Sequence, residues 1–145
     1  MIDKIIKSML CLSAVSLSPS EVMAQISDDD FISGFIAGDY ILIGKAPDSD
    51  RTYSGRVTIR VTPEGLVIKR TIGSETVTGT ATAELTREGV GVLRIRFHEN
   101  EIDYEETCMI ESDLDNYSRF TCYLYQPGVE TDQPGLEALF HDFNK

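Results

Sequence analysis

From residue 39 onward, apolar residues recur at every second position over most of the chain. The stretch Tyr53 to Ile72 shows the pattern best. Val57, Ile59 and Val61 lie on one side, and Arg56, Thr58 and Arg60 on the other; Leu66, Ile68 and Ile72 then resume the apolar side, with Val67, Lys69 and Thr71 opposite. Between the two runs, Pro63 presets the first corner of a turn and Gly65 can take the positive φ that closes it. A helix needs apolar residues three and four apart, which this stretch lacks. One apolar and one polar face is the pattern of an antiparallel sheet with one side in a core. The predicted hairpin sets Val61 opposite Leu66 and Ile59 opposite Ile68, with all four side chains facing inward.

The same period predicts five more strands. Asp39 to Gly44 is the first of the chain. Thr76 to Leu85 places Val77, Gly79, Ala81 and Ala83 on one face, small residues that suit a tightly curved sheet. Val90 to Phe97 turns Gly91, Leu93, Ile95 and Phe97 inward. Ile102 to Ile110 does so with Ile102, Tyr104, Cys108 and Ile110, and Phe120 to Tyr125 with Phe120, Cys122 and Leu124. Short turn signals join these runs, and regular short strands of this kind make a meander that closes into a barrel or folds as a sandwich. Ahead of them, the Gly-punctuated apolar stretch Phe31 to Gly38 predicts a short helical turn plugging one end. After Pro134 the period changes: Leu136, Leu139, Phe140 and Phe143 recur at helical spacing, which predicts a short amphipathic helix over 134–143 on the outside or end of the barrel. The expected fold is therefore all-β, an antiparallel meander of seven or eight strands closing into a small barrel, with a short C-terminal helix. A lead-in segment at 25–38 precedes a barrel domain at 39–145.

The first 24 residues have a different character. Lys4 and Lys7 precede an apolar centre at Met9 to Leu17, Pro19 breaks it, and Val22-Met23-Ala24 supplies small residues for cleavage before Gln25. A secretory signal peptide and a periplasmic or secreted location are expected. Without the leader, Cys108 and Cys122 remain, an even count that in an exported protein predicts a disulfide. No run of eighteen apolar residues predicts a membrane-spanning helix. The formal charge of −11 argues against nucleic acid, which needs a basic face, and favours a basic partner.

The run KAPDSDRTYSGRVTI, with the strand ending at Ile72-Gly73, resembles a family of small exported bacterial β-proteins. These carry an Asn-Pro-Asp-Gly-like loop, then Tyr-x-Gly-x-Val-x-Ile, then a strand ending Trp-x-Ile-Gly. The resemblance covers Asp39 to Thr80 and implies a calycin-like barrel. Some members are called fibronectin-binding proteins, and none brings catalytic residues to carry over. This chain has Ala46-Pro47-Asp48-Ser49 in the loop and Arg70 where the family tends to have Trp.

Candidate chemistry is sparse. No Gly-x-Ser-x-Gly elbow occurs. His98, at a strand end, and His141, on the expected helix, have no second His or Cys at metal-ligand spacing. Glu101, Asp103, Glu105 and Glu106 read as a solvated strand face. Glu111 to Asn116 reads as a polar hairpin tip, since it lacks the glycine and terminal glutamate of a calcium loop. Arg56, Arg60, Lys69, Arg94 and Arg96 would bind an anionic group only if the barrel gathered them; separate surface positions are the plainer reading. No catalytic set and no cofactor are expected. An eight-stranded barrel is either filled or just wide enough for one small ligand, and Arg70, Phe97, Tyr104 and Phe120 are the candidate contacts. The expected function is an exported, non-enzymatic binding module of uncharacterised ligand, with a small apolar molecule or a basic protein as candidate partners. The alternative is an acidic inhibitor or immunity protein against a basic hydrolase such as lysozyme.

Overall fold

A computed structural model describes residues 34–109 and 119–144. The chain forms eight antiparallel strands in a closed barrel: β1 (Gly38–Lys45), β2 (Thr52–Thr62), β3 (Gly65–Ile72), β4 (Glu75–Leu85), β5 (Gly91–Glu99), β6 (Ile102–Met109), β7 (Arg119–Tyr125) and β8 (Gly135–His141). Each strand pairs with the next in sequence, and β8 pairs with β1 to close the ring.

The central hairpin has the predicted register, with Ile59 opposite Ile68 and Val61 opposite Leu66. Ile59, Ile68 and Leu66 are buried, but Val61 is 56% exposed. Its parity is inward, yet it sits one residue from the turn, where the barrel ends and little remains to cover it. The interior is filled toward this end by Tyr40, Leu42, Ile59, Ile68, Leu93, Ile95, Phe120 and Leu139. A helical turn at residues 34–36 caps it. Ile36 is fully buried there, and its carbonyl accepts a 2.6 Å hydrogen bond from the Tyr40 hydroxyl. Burial drives that hydroxyl's pKa up to about 12, so it remains a donor at any ordinary pH.

The predicted helix over 134–143 is not formed. Residues 135–141 are instead the closing strand β8, and His141 lies on a strand. Leu, Ala and Glu favour helix, but a helix of two or three turns is marginal without tertiary support. As a strand, the segment satisfies the open edges of both β1 and β7, which a helix would leave with a row of unpaired peptide groups. The pattern misled because both faces of β8 are unusual. Its outward residues Leu136 and Phe140 are apolar, and the inward Glu137 is charged. With Ile41, Ile43 and Tyr123 on the flanking strands, Leu136 and Phe140 form an exposed apolar band on the outer wall.

Cys108 lies directly opposite Cys122, and the two form a disulfide with both sulfurs buried. Met109 opposite Thr121 follows the same predicted register. The expected pairing of Glu111 with Arg119 and the acidic tip at Glu111 to Asn116 lie outside the described residues, as does the predicted leader. None of the described helices is long and apolar enough to cross a membrane.

Candidate functional site

At the end opposite the cap, the barrel opens into a cavity of about 490 Å³. Its wall is made by inward residues toward the strand ends, Tyr53, Arg70, Ile72, Phe97, Tyr104 and Leu124, and its rim by Pro47 and Arg51 of the loop after β1 and by the terminal strand residues Glu75 and Glu99. The size falls within the usual range for small-molecule sites.

The rim is fixed by contacts between two loops distant in sequence. Asp48, at φ +48°, donates its backbone N–H to the Gln133 carbonyl at 2.9 Å, and its side chain accepts from the Gln133 N–H at 2.8 Å. Asp is one of the few residues that tolerates this left-handed conformation. Two glycines shape the wall. An added Cβ at Gly44 would lie 2.4 Å from the Tyr53 ring, so the ring lies where only glycine leaves room. Gly79, opposite Phe97, would place a Cβ 2.2 Å from the Arg96 carbonyl oxygen and 2.8 Å from the Phe97 Cβ.

The inner end of the cavity is a buried ionic cluster. Arg70, 4% exposed, donates from Nη1 to Glu106 at 2.5 Å and to Glu137 at 2.6 Å, and from Nη2 to Glu137 at 2.8 Å. Glu106 and Glu137 are each 1% exposed. The Tyr53 hydroxyl donates to Glu137. Arg70 also lies over the Phe97 ring, its guanidinium carbon 4.3 Å from the centroid, and Phe97 stacks with Tyr104 at 5.5 Å and 22°. Below the carboxyls, Cys108 Sγ is 4.0 Å from Glu106 Oε2. The bonded sulfurs offer no thiolate to a metal.

Two carboxyls and one guanidinium leave this cluster one negative charge in excess, in surroundings that disfavour charge. Protonation of Glu106 is favoured, which offsets the excess. Burial, and then the neighbouring charge of Glu137, push the Glu106 carboxyl well above the usual carboxylate range, against the opposing pull of Arg70. A hydrogen bond between the two carboxyls favours the same protonated state. Burial disfavours the Arg70 charge, but the hydrogen bond to Glu137 and the two carboxyl charges outweigh it and hold the guanidinium firmly protonated. Burial and the Glu137 charge likewise keep Tyr53 in its phenol form.

Of the residues singled out in the sequence, Arg70, Phe97 and Tyr104 come together at the cavity. Phe120 does not: it packs on Tyr40 in the filled half, centroids 5.5 Å apart. Glu106 is not on a solvated face as expected. It lies inward between Tyr104 and Cys108, and that parity is the signal that marks it. Arg70 occupies the equivalent position between Ile68 and Ile72. A positive and a negative residue on the inward parity of two strands is a readable hint of an internal pair. Glu137 was hidden by the helical reading of its segment, and Tyr53 had no signal beyond its place at the start of a strand.

Of the outer basic residues Arg56, Arg60, Lys69, Arg94 and Arg96, the four arginines are paired with carboxylates. Arg60 pairs with Asp39 at 2.9 Å, and Arg56 pairs with Asp142. Arg94 holds Glu84 at 2.9 Å and Glu105 at 2.8 Å, and Arg96 holds Glu105 at 2.8 Å. His98 pairs with Asp103 at 2.8 Å on the surface. No protein-family model and no curated protein sequence matches the chain.

Proposed function

We propose that the chain is an exported, non-enzymatic binding barrel that holds a small molecule in its mouth. One observation carries the reading: a cavity of ligand size, open at one end and walled by aromatic and aliphatic side chains, ends on a buried polar cluster. Small-molecule sites combine such a wall with a few fixed polar groups. The cluster does not resemble acid–base machinery. Each of its charges is already consumed by an internal partner, whereas a general acid or base must reach its substrate. The eight-stranded barrel and the motifs between Asp39 and Thr80 support a calycin-like assignment. The disulfide and the leader-like N-terminus support an oxidising compartment outside the cytoplasm.

The test is titration with a neutral apolar dye, N-phenyl-1-naphthylamine, read by its fluorescence. One saturable site per chain, weakened by Tyr104→Ala, is expected. Absence of saturable uptake of this dye and of other small neutral aromatic probes would remove the reading. The alternative, an inhibitor or immunity protein against a basic hydrolase, draws on one observation. Four outer arginines are each neutralised by a carboxylate, so the remaining acids dominate the field outside the barrel. A salt-sensitive complex with lysozyme, without dye uptake, would favour it.

A further inference from the structure

A guanidinium has five N–H donors in a rigid planar fork. Both hydrogens of Arg70 Nη1 and one of Nη2 are used by Glu106 and Glu137. Glu137 takes the Nη1–Nη2 edge with its two oxygens. The remaining two donors, Nε–H and the second Nη2–H, point the same way along the adjacent edge and have no partner among the described residues. His141 Nδ1 is the single buried side-chain nitrogen or oxygen lacking a partner among those residues, so Arg70 Nε is open to the cavity that Arg70 lines rather than sealed in protein. A side chain 96% buried thus presents an unused two-donor edge to an open cavity, beside the stacked Phe97 and Tyr104 rings.

We infer that this edge is the recognition element of the mouth site and that its ligand is a flat, uncharged molecule presenting a carbonyl-type acceptor to Arg70. The inference rests on the binding-barrel reading and specifies its ligand class. Flatness follows from the walls: the acceptor must reach Arg70 alongside the Phe97–Tyr104 stack, where a planar molecule can make offset or edge contact with the aromatic wall. Neutrality follows from charge. The one guanidinium already faces two buried carboxyls, so the cluster has no positive charge to spare. A ligand carboxylate would match the geometry of the edge but would add an uncompensated buried negative charge beside Glu137. A cation finds Glu137 engaged through both oxygens by Arg70 and Tyr53, and Glu106 already paired with Arg70, and it would meet the Arg70 charge itself.

Three probes test this on the full chain by fluorescence titration: 7-diethylamino-4-methylcoumarin, its 3-carboxylate counterpart 7-diethylaminocoumarin-3-carboxylate, and N-phenyl-1-naphthylamine, which has no carbonyl acceptor. The neutral coumarin should bind one site per chain at least about tenfold more tightly than the carboxylate. Arg70→Met should weaken the neutral coumarin about tenfold more than it weakens the naphthylamine. Should Arg70→Met fail to fold, the wild-type Arg70 Nε–H resonance supplies the readout: it should shift and gain protection from exchange with the neutral coumarin and stay unmoved by the naphthylamine. Equal or tighter binding of the carboxylate, or a neutral complex indifferent to Arg70 by both readouts, would overturn the inference while leaving the binding-barrel reading intact. Failure of all three probes to bind would remove both.

Discussion

Arg70→Met is the most informative single change to the fold. Methionine keeps most of the length and apolar volume of the arginine stem, so the void it leaves is small. What it removes is the positive charge paired with two buried carboxyls. Three hydrogen bonds and the contact with the Phe97 ring go with it. Deleting one partner of a buried ion cluster costs about 3–5 kcal/mol, because the remaining charge is left uncompensated. The net stability of a domain is typically about 5–15 kcal/mol, so the variant should still fold but with a large share of its margin gone. The loss should depend on pH. Without Arg70, the Glu106 carboxyl loses the charge that opposes its protonation, so it favours the protonated state still more strongly in the folded chain. A carboxyl whose folded pKa is raised contributes stability below its unfolded value of about 4.5, and that contribution is lost as pH rises through the folded value. The deficit should therefore be largest near pH 8 and shrink toward about pH 5. Urea unfolding of wild type and variant, followed by tyrosine fluorescence at both pH values, measures it, with the midpoint and slope converted to free energy. The triple variant Arg70→Met/Glu106→Gln/Glu137→Gln should recover more than half the loss. A deficit within about 0.5 kcal/mol, or one equal at both pH values, would show that the cluster is hydrated rather than buried, and the reasoning would fail.

Other consequences follow from the same packing. Glu106→Gln removes a carboxyl that the fold holds protonated above its usual range, so it should flatten the decline of melting temperature between about pH 5 and pH 8, read by calorimetry; a slope identical to wild type would place the proton elsewhere. Ile59→Ala should cost about 2–5 kcal/mol in urea unfolding, whereas Val61→Ala should stay within about 0.5 kcal/mol, since Ile59 is fully buried and Val61 is 56% exposed. Reducing the disulfide between Cys108 and Cys122, separated by 14 positions, should cost about 3 kcal/mol and lower the melting temperature; an unchanged thermogram with two titratable thiols would contradict this.

Much of the barrel is legible in the chain because one face of each strand is apolar and the period is two. The hairpin register and the Cys108–Cys122 pairing follow from that alternation and from turn chemistry. Two kinds of position escape it. Val61 has the right parity, but parity says nothing about how far from the barrel end a residue lies. β8 escapes because a strand with apolar residues outward and Glu137 inward inverts the pattern, while Leu136, Leu139, Phe140 and Phe143 imitate a helical stripe. What decides its state is non-local: two strand edges, β1 and β7, each needing a partner. The same limit hid the site. Arg70 and Glu106 are readable as inward by parity, but their meeting depends on the curvature that brings β3 toward β6, and Glu137 joins them only once β8 closes the ring.

The account places a ligand inside the mouth, and the competing apolar surface is the outer band of Ile41, Ile43, Leu136 and Phe140. Intermolecular nuclear Overhauser effects from bound N-phenyl-1-naphthylamine separate the two directly. Contacts to Phe97, Tyr104 and Leu124 at the cavity wall are expected. Contacts confined to Ile41, Ile43 and Phe140, with the wall resonances unmoved, would contradict it.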